Sequence, residues 1–163
     1  MSGDAEPPAG FGFVSVDAAR FGAPHPLMPK LFAWRFPAWI VSWTDGDTAV
    51  CRINRGLDDE STRRVRLLGS VEGAQAYELR DKDPQRRALA VLGKARSIEL
   101  APPGAPVILL AEARSGDIKP DGFGRLLAQM TNADGVNVGD ALLAEGLAVP
   151  YAKTAGVSIP ADA

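Results

Sequence analysis

The order of elements written in this chain predicts a mainly β fold with α (α+β): a five-stranded Greek-key barrel carrying two or three helices. Three observations lead there. From Ala38 onward, three apolar or alternating runs follow closely, "AWIVSW", "DTAVCRI" and "TRRVRLLG", and such runs bounded by turn residues read as strands. A helix signal then interrupts them, Asp83 as N-cap followed by Pro84 at the first helical position. Two further β-rich runs, "PVILLAEA" and "GRLLAQM", precede a short helical pattern, "VGDALLAEGLA". Three strands, a helix, two strands and a terminal helix is the element order of a barrel of the OB type. That barrel hosts many unrelated functions, so fold does not fix activity.

Taken in order, residues 1–37 mix prolines with Phe11, Phe13, Phe21, Phe32, Trp34 and Phe36. A flexible polar linker would lack the aromatics, so the segment reads as an irregular arm that docks on its own domain or on a partner. The barrel domain then runs from 38 to 151, and 152–163 is a tail. Asp45-Gly46 is a turn dipeptide at the head of the second strand. Behind Pro84, the apolar positions Ala88, Leu89, Val91, Leu92 and Ala95 fall at helical spacing. "APPGAP" breaks the chain, "NADG" is a turn, and Gly146 stops the last helix. From Val149 onward the chain reads as irregular.

Composition narrows the chemistry. The 163 residues suit one domain of ordinary size. A net charge of −2 and a pI near 5.4 are unlike the strongly basic field of a tight, sequence-blind nucleic-acid binder. Cys51 is the single cysteine, which excludes an internal disulfide and a cysteine-rich metal site. The single histidine, His25, lies in the loop-like "APHPLMP" with nothing to build a triad around it. No run approaches the roughly 18 apolar residues of a membrane span, and the start lacks the basic-then-apolar pattern of a signal peptide. The expected location is cytoplasmic or virion-associated. Arg63, Arg64, Lys82, Arg86, Arg87, Lys94 and Arg96 form either a solvated face or a local phosphate-facing patch.

Four segments in order, "DGDT" (45–48), "RVRLLG" (64–69), "DGFGR" (121–125) and "NVGDALLAEGLAVPY" (137–151), resemble the staphylococcal-nuclease-like, or thermonuclease, family. The likeness covers Ile40 to Tyr151, and the segments "INRGLDDESTRRVRLLG" and "RDKDPQRRALAVLGKARSIELAPPGAPVIL" resemble the branch common in phage and marine bacterial genomes. It implies metal-dependent hydrolysis of phosphodiester bonds in DNA or RNA, usually with calcium, which seeks hard oxygen ligands. A glutamate would help activate water, and two arginines would stabilise the phosphate through their planar forks. Carried over by residue, Asp47 matches the metal-ligand aspartate, with Asp45 and Thr48 beside it. Arg66 and Arg125 match the two arginines. Asp121 opens the last turn, Phe123 takes a tyrosine position, and Arg64, Lys82 and Phe123 are the candidate nucleic-acid contacts.

The segment after Arg66 departs from the family's "GIDAPE". An ungapped register puts Val71 at the second ligand and Ala74 at the base. A four-residue insertion makes Glu78 the base and Gln75 the ligand, and it aligns the downstream charged run. A two-residue deletion makes Glu72 the base. The insertion register is preferred. Under it a neutral carbonyl replaces a carboxylate, so calcium binds more weakly, and activity is expected to be weakened or lost. The alternative expectation is a non-catalytic barrel kept as a structural or protein-interaction module in a larger assembly, such as a phage particle or a nucleoprotein complex, engaging its partner through the arm.

Overall fold

A computed structural model describes residues 33–112 and 120–151. The aromatic arm lies outside these residues up to Phe32, as do His25 and the tail from 152.

The first strand, β1 (Ala33–Trp43), pairs antiparallel with β2 (Thr48–Asn54), and β2 pairs antiparallel with β3 (Glu60–Leu68). After a short strand β4 (Gly73–Ala76) comes helix α1 (Pro84–Leu100). Strands β5 (Pro106–Glu112) and β6 (Leu126–Thr131) follow, then α2 (Val138–Ala144) and β7 (Ala148–Tyr151). β5 returns antiparallel to β1, β6 to β5, and β6 runs parallel to β3 from Val65↔Leu126 to Leu68↔Gln129. These pairings close β1, β2, β3, β6 and β5 into a five-stranded, OB-like barrel, with β4 and β7 attached as an extra antiparallel pair beside β3.

The pleat sends alternate residues inward. Ile40, Ala49, Cys51, Val65, Leu67, Leu109, Ala128 and Met130 are buried in the barrel core. Burial pushes the Cys51 thiol up to about 12, consistent with a packing role. Trp43 is tied to the end of α1 by its indole N–H, which donates to the Ala101 carbonyl at 2.8 Å.

Several sequence expectations change here. The first strand starts at Ala33 rather than Ala38, because Trp34, Phe36 and Ala38 continue one alternating face. Pro37 is tolerated where β1 pairs with β5 but has not yet met β2, whose pairing starts at Ala38. Four-residue β4, rich in alanine and glycine, and β7, in the segment expected to be irregular, become strands by pairing with each other. The helix expected behind Pro84 forms, and small residues make its buried face. Val91 and Leu92 are each 56% exposed, while Ala90, Gly93 and Ser97 are buried. The N-cap holds as expected, with Asp83 accepting from the Gln85 amide at 2.9 Å.

Small residues face inward on α1 because the helix packs on the Asp45–Thr48 turn. Ser97 Oγ donates to the Gly46 carbonyl at 2.7 Å. A Cβ on Gly46 would lie 3.0 Å from Ala76 Cβ and 3.2 Å from the Gly93 carbonyl carbon. Gly46→Ala is therefore expected to destabilise the fold by about 1–3 kcal/mol, read as a lower midpoint in urea. An unchanged midpoint would mean that the turn and helix are not in tight contact.

Candidate functional site

The turn between β1 and β2 places Asp47 under the barrel wall, 6% exposed. Its backbone carbonyl accepts from the Leu67 amide at 2.8 Å. Its carboxylate is held at both ends. Oδ1 accepts from Thr48 Oγ1 and Oδ2 from the Ala76 amide, each at 2.8 Å. One side chain thus joins the turn to β4. Asp45 lies beside it, its Oδ1 accepting from the Asp47 amide at 3.2 Å. Burial, and then the neighbouring Asp45 carboxylate, raise the Asp47 carboxyl to about 6, against the pull of its Thr48 and Ala76 donors.

A second turn, at residues 121–124, lies directly before β6. Asp121 Oδ1 accepts from the Phe123 and Arg125 amides and its Oδ2 from Arg125 Nε, all at 2.9 Å. Burial alone would raise the Asp121 carboxyl, but those amides and the Arg125 charge bring it below its usual value. Arg125, so pinned, reaches Thr48 Oγ1 through Nη1 at 3.5 Å. A single chain of polar contacts therefore runs from Asp121 through Arg125, Thr48 and Asp47 to the backbone of β4.

Arg66 belongs to the same neighbourhood by register. Thr48 pairs with Arg66, Leu68 with Gly73, and Gly73 with Tyr151. Directly paired residues share a face of the sheet, so Thr48, Arg66, Gly73, Gln75 and Tyr151 line one outward face. The Arg66 guanidinium sits 4.7 Å over the Tyr151 ring. The ring also lies against Gly73, where a Cβ would come within 2.2 Å of Tyr151 Cζ. Burial raises the Tyr151 phenol; the Arg66 and Arg125 charges oppose the shift and Asp47 and Asp121 add to it, so one hydroxyl senses all four.

Three buried polar atoms on this face have no hydrogen-bond partner among the described residues: Arg66 Nε, Tyr151 Oη and Gln75 Oε1. Arg66 and Tyr151 are each 8% exposed. Buried polar groups are nearly always satisfied, so unpaired donors side by side indicate a place where an acceptor belongs.

The remaining sequence candidates are spread more widely. Glu78 is exposed in the loop after β4, two residues beyond the Ala76 amide, its carbonyl accepting from the Asp81 amide. Glu72 is in the tight turn between β3 and β4, where its carbonyl accepts from the Gly69 amide. Val71 is 81% exposed at that turn, and Ala74 is buried. Arg64 donates to the Phe123 carbonyl, and Arg125 lies over the exposed Phe123 ring at 5.2 Å. Lys82 is exposed in the loop before α1. The cationic run does not form one patch. Arg96 is bound to Glu145 and Glu99, Arg86 pairs with Asp83, Arg87 donates to the Asp81 carbonyl, and Arg63 faces another part of the barrel.

For a calcium ion, the available hard donors are the Asp45–Asp47 acid pair and the unpaired Gln75 Oε1. Among the described residues no three His, Cys, Asp or Glu side chains gather. Burial is the main cause of the raised Asp47 carboxyl, and a positive charge beside the pair would offset only the Asp45 repulsion that adds to it.

Sequence reasoning missed Tyr151 and Gly73 as site residues. Parity carried the signal: in "GAQA" and "AVPY" the glycine and the tyrosine fall opposite each other once the strands pair, but neither strand was recognised. Compared with known proteins, the chain matches no family model and no curated relative.

Proposed function

We propose that this chain is a staphylococcal-nuclease-like Greek-key barrel that binds the phosphodiester backbone of DNA or RNA at Arg66 and Arg125, with hydrolysis weakened or lost. The observation that carries the reading is the pair of unpaired donors, Arg66 Nε and Tyr151 Oη, on the face where Arg125 is also held. A phosphate has the oxygens to satisfy them, and arginine presents donors in a fork that matches. Calcium, if bound, would be held by Asp47 with Asp45 and Gln75, and would polarise the phosphoryl group. Weak hydrolysis follows from the rest. Gln75 stands where a charged ligand belongs, and Glu78 is exposed beyond β4 instead of joining the Asp47 network.

The test is anisotropy of fluorescent single-stranded DNA and RNA, paired with a cleavage assay in calcium against chelator. Binding is expected to weaken about tenfold or more in Arg66→Ala and in Arg125→Ala, since a charge-assisted hydrogen bond is worth about 1.5–3 kcal/mol. Slow calcium-dependent cleavage that disappears in Glu78→Ala would place the base there. Binding indifferent to both arginines would sink the proposal.

A second reading rests on one observation. Val91, Leu92 and Ile98 are exposed on the outer side of α1, a surface suited to a non-catalytic module in a larger assembly, including a virion. Under it, DNA and RNA would not bind and both arginines could be replaced without effect.

A further inference from the structure

The open end of the barrel holds a cavity of about 500 Å³ distinct from the face just described. Its floor is apolar: Phe36, Ile53 and Leu126. Arg63 stands at its rim, and this placement is unusual. Arg63 pairs directly with Cys51, a fully buried core residue, so its strand position is an inward-facing one, where Val65 and Leu67 continue the core. An inward position in a barrel ordinarily takes an apolar side chain. Arg63 has no acid partner among the described residues, whereas its neighbour at the rim, Arg55, is neutralised by Asp59 at 2.7 Å. Among the described residues, a cation without an acid partner thus overlooks an apolar floor.

The aromatic surface extends outward from that floor. Trp34, 43% exposed, stacks on Phe36 with ring centroids 6.4 Å apart and planes 8° from parallel. Pockets that hold small ligands span about 300–1,000 Å³ and combine an apolar lining with a few placed polar groups. The mouths of β-barrels are a common place for them. The occupant that matches must have a flat apolar part for Phe36, Ile53 and Leu126 and an anionic part for Arg63.

We propose that the barrel mouth is a second ligand site that takes a nucleotide, its base on the apolar floor and its phosphate on Arg63. The base gains stacking that every base can provide, and the phosphate gains the Arg63 guanidinium, which has no acid partner among the described residues. The site does not depend on Arg66 or Arg125, so it stands or falls separately from phosphodiester binding at the outward face.

Titration calorimetry of the full chain with adenosine monophosphate tests this, with adenosine and ribose 5-phosphate as half-ligands. The expected result is that the nucleotide binds at least tenfold tighter than either half. Arg63→Ala should weaken it tenfold or more, Arg63→Lys should restore part of the loss, and Ser61→Trp, which fills the cavity, should abolish it. Arg52→Ala, which removes a cation held by Glu60 and Trp39 outside the cavity, should leave it unchanged. No binding of the nucleotide, half-ligands that bind as well as the whole, or binding lost in Arg66→Ala but kept in Arg63→Ala would each overturn the proposal. In the last case the nucleotide occupies the Arg66 face.

Discussion

Asp47→Asn is expected to be more stable than the parent chain at pH 8, by on the order of 2–3 kcal/mol, and to lack the parent's pH dependence between pH 4 and 7. The Asp47 carboxyl is raised from 3.8 to about 6, chiefly by burial and then by Asp45. An acid raised on folding binds its proton more tightly in the folded state. The parent therefore gains stability as pH falls through 6 toward 3.8 and loses it as pH rises across the same window. Asp121 has the opposite sign, but its carboxyl lies below the usual value, so its loss of stability begins only at lower pH. An asparagine keeps a carbonyl for the Ala76 amide and gains an N–H that donates to Asp45, turning repulsion into a hydrogen bond. Thr48 can rotate its hydroxyl to suit.

Urea unfolding in chelator at pH 5 and pH 8 reads this directly. A parent that is more stable at pH 8 than at pH 5 would sink the prediction. Repeating the pH 8 measurement with calcium separates the two states of the acid pair. A cation at Asp47 would stabilise the parent and leave Asp47→Asn indifferent.

The second large effect concerns the Tyr151 ring. Gly73→Ala puts a methyl within 2.2–2.5 Å of three ring carbons, so the ring must leave its place. Burying an aromatic side chain is worth about 1.5–3 kcal/mol, and an arginine over its face adds about 0.5–2 kcal/mol. The expected cost is about 2–4 kcal/mol, with the barrel core untouched because Gly73 and Tyr151 belong to the attached pair β4–β7. Arg66 loses its platform with the ring, so nucleic-acid affinity should fall about as far as in Arg66→Ala. A folded Gly73→Ala with parental affinity would show that the stack does not position Arg66. A double variant with Arg66→Ala gives the coupling, since a shared mechanism makes the two losses less than additive.

What the sequence reveals follows from how local each signal is. Asp83-Pro84 marks the start of α1 because cap and proline act within one turn. "NADG" marks its turn because Asn132 Oδ1 takes the Asp134 and Val136 amides by itself. The Asp45–Thr48 turn and the two arginines are legible for the same reason: each is read within a few residues. β4 and β7 are not, because a strand of Gly, Ala and Gln has no intrinsic preference for the extended state and forms only with a partner about 75 residues away in the chain. The buried face of α1 is not legible from apolar spacing, since Val91 and Leu92 are exposed. Close approach to Gly46 instead demands the small side chains at Ala90, Gly93 and Ser97. The Arg66–Tyr151–Gly73 stack combines three elements, and no local pattern contains it.

The parallel register of β6 against β3 sets when the outward face comes into being during folding. β1, β2 and β3 are joined by short turns and can zip up from neighbouring chain. Closing the ring requires Leu126 to find Val65, about sixty residues back, and that long loop is slow to close. Arg125, the residue before Leu126, meets Thr48 only at that moment, and Tyr151 reaches Gly73 only once the chain beyond it has returned. A nascent chain can therefore hold a formed β1–β2–β3 meander while Arg125 and Tyr151 are still apart from Thr48 and Gly73. Under the proposed function, the capacity to bind phosphate would arise only with the last seam of the barrel.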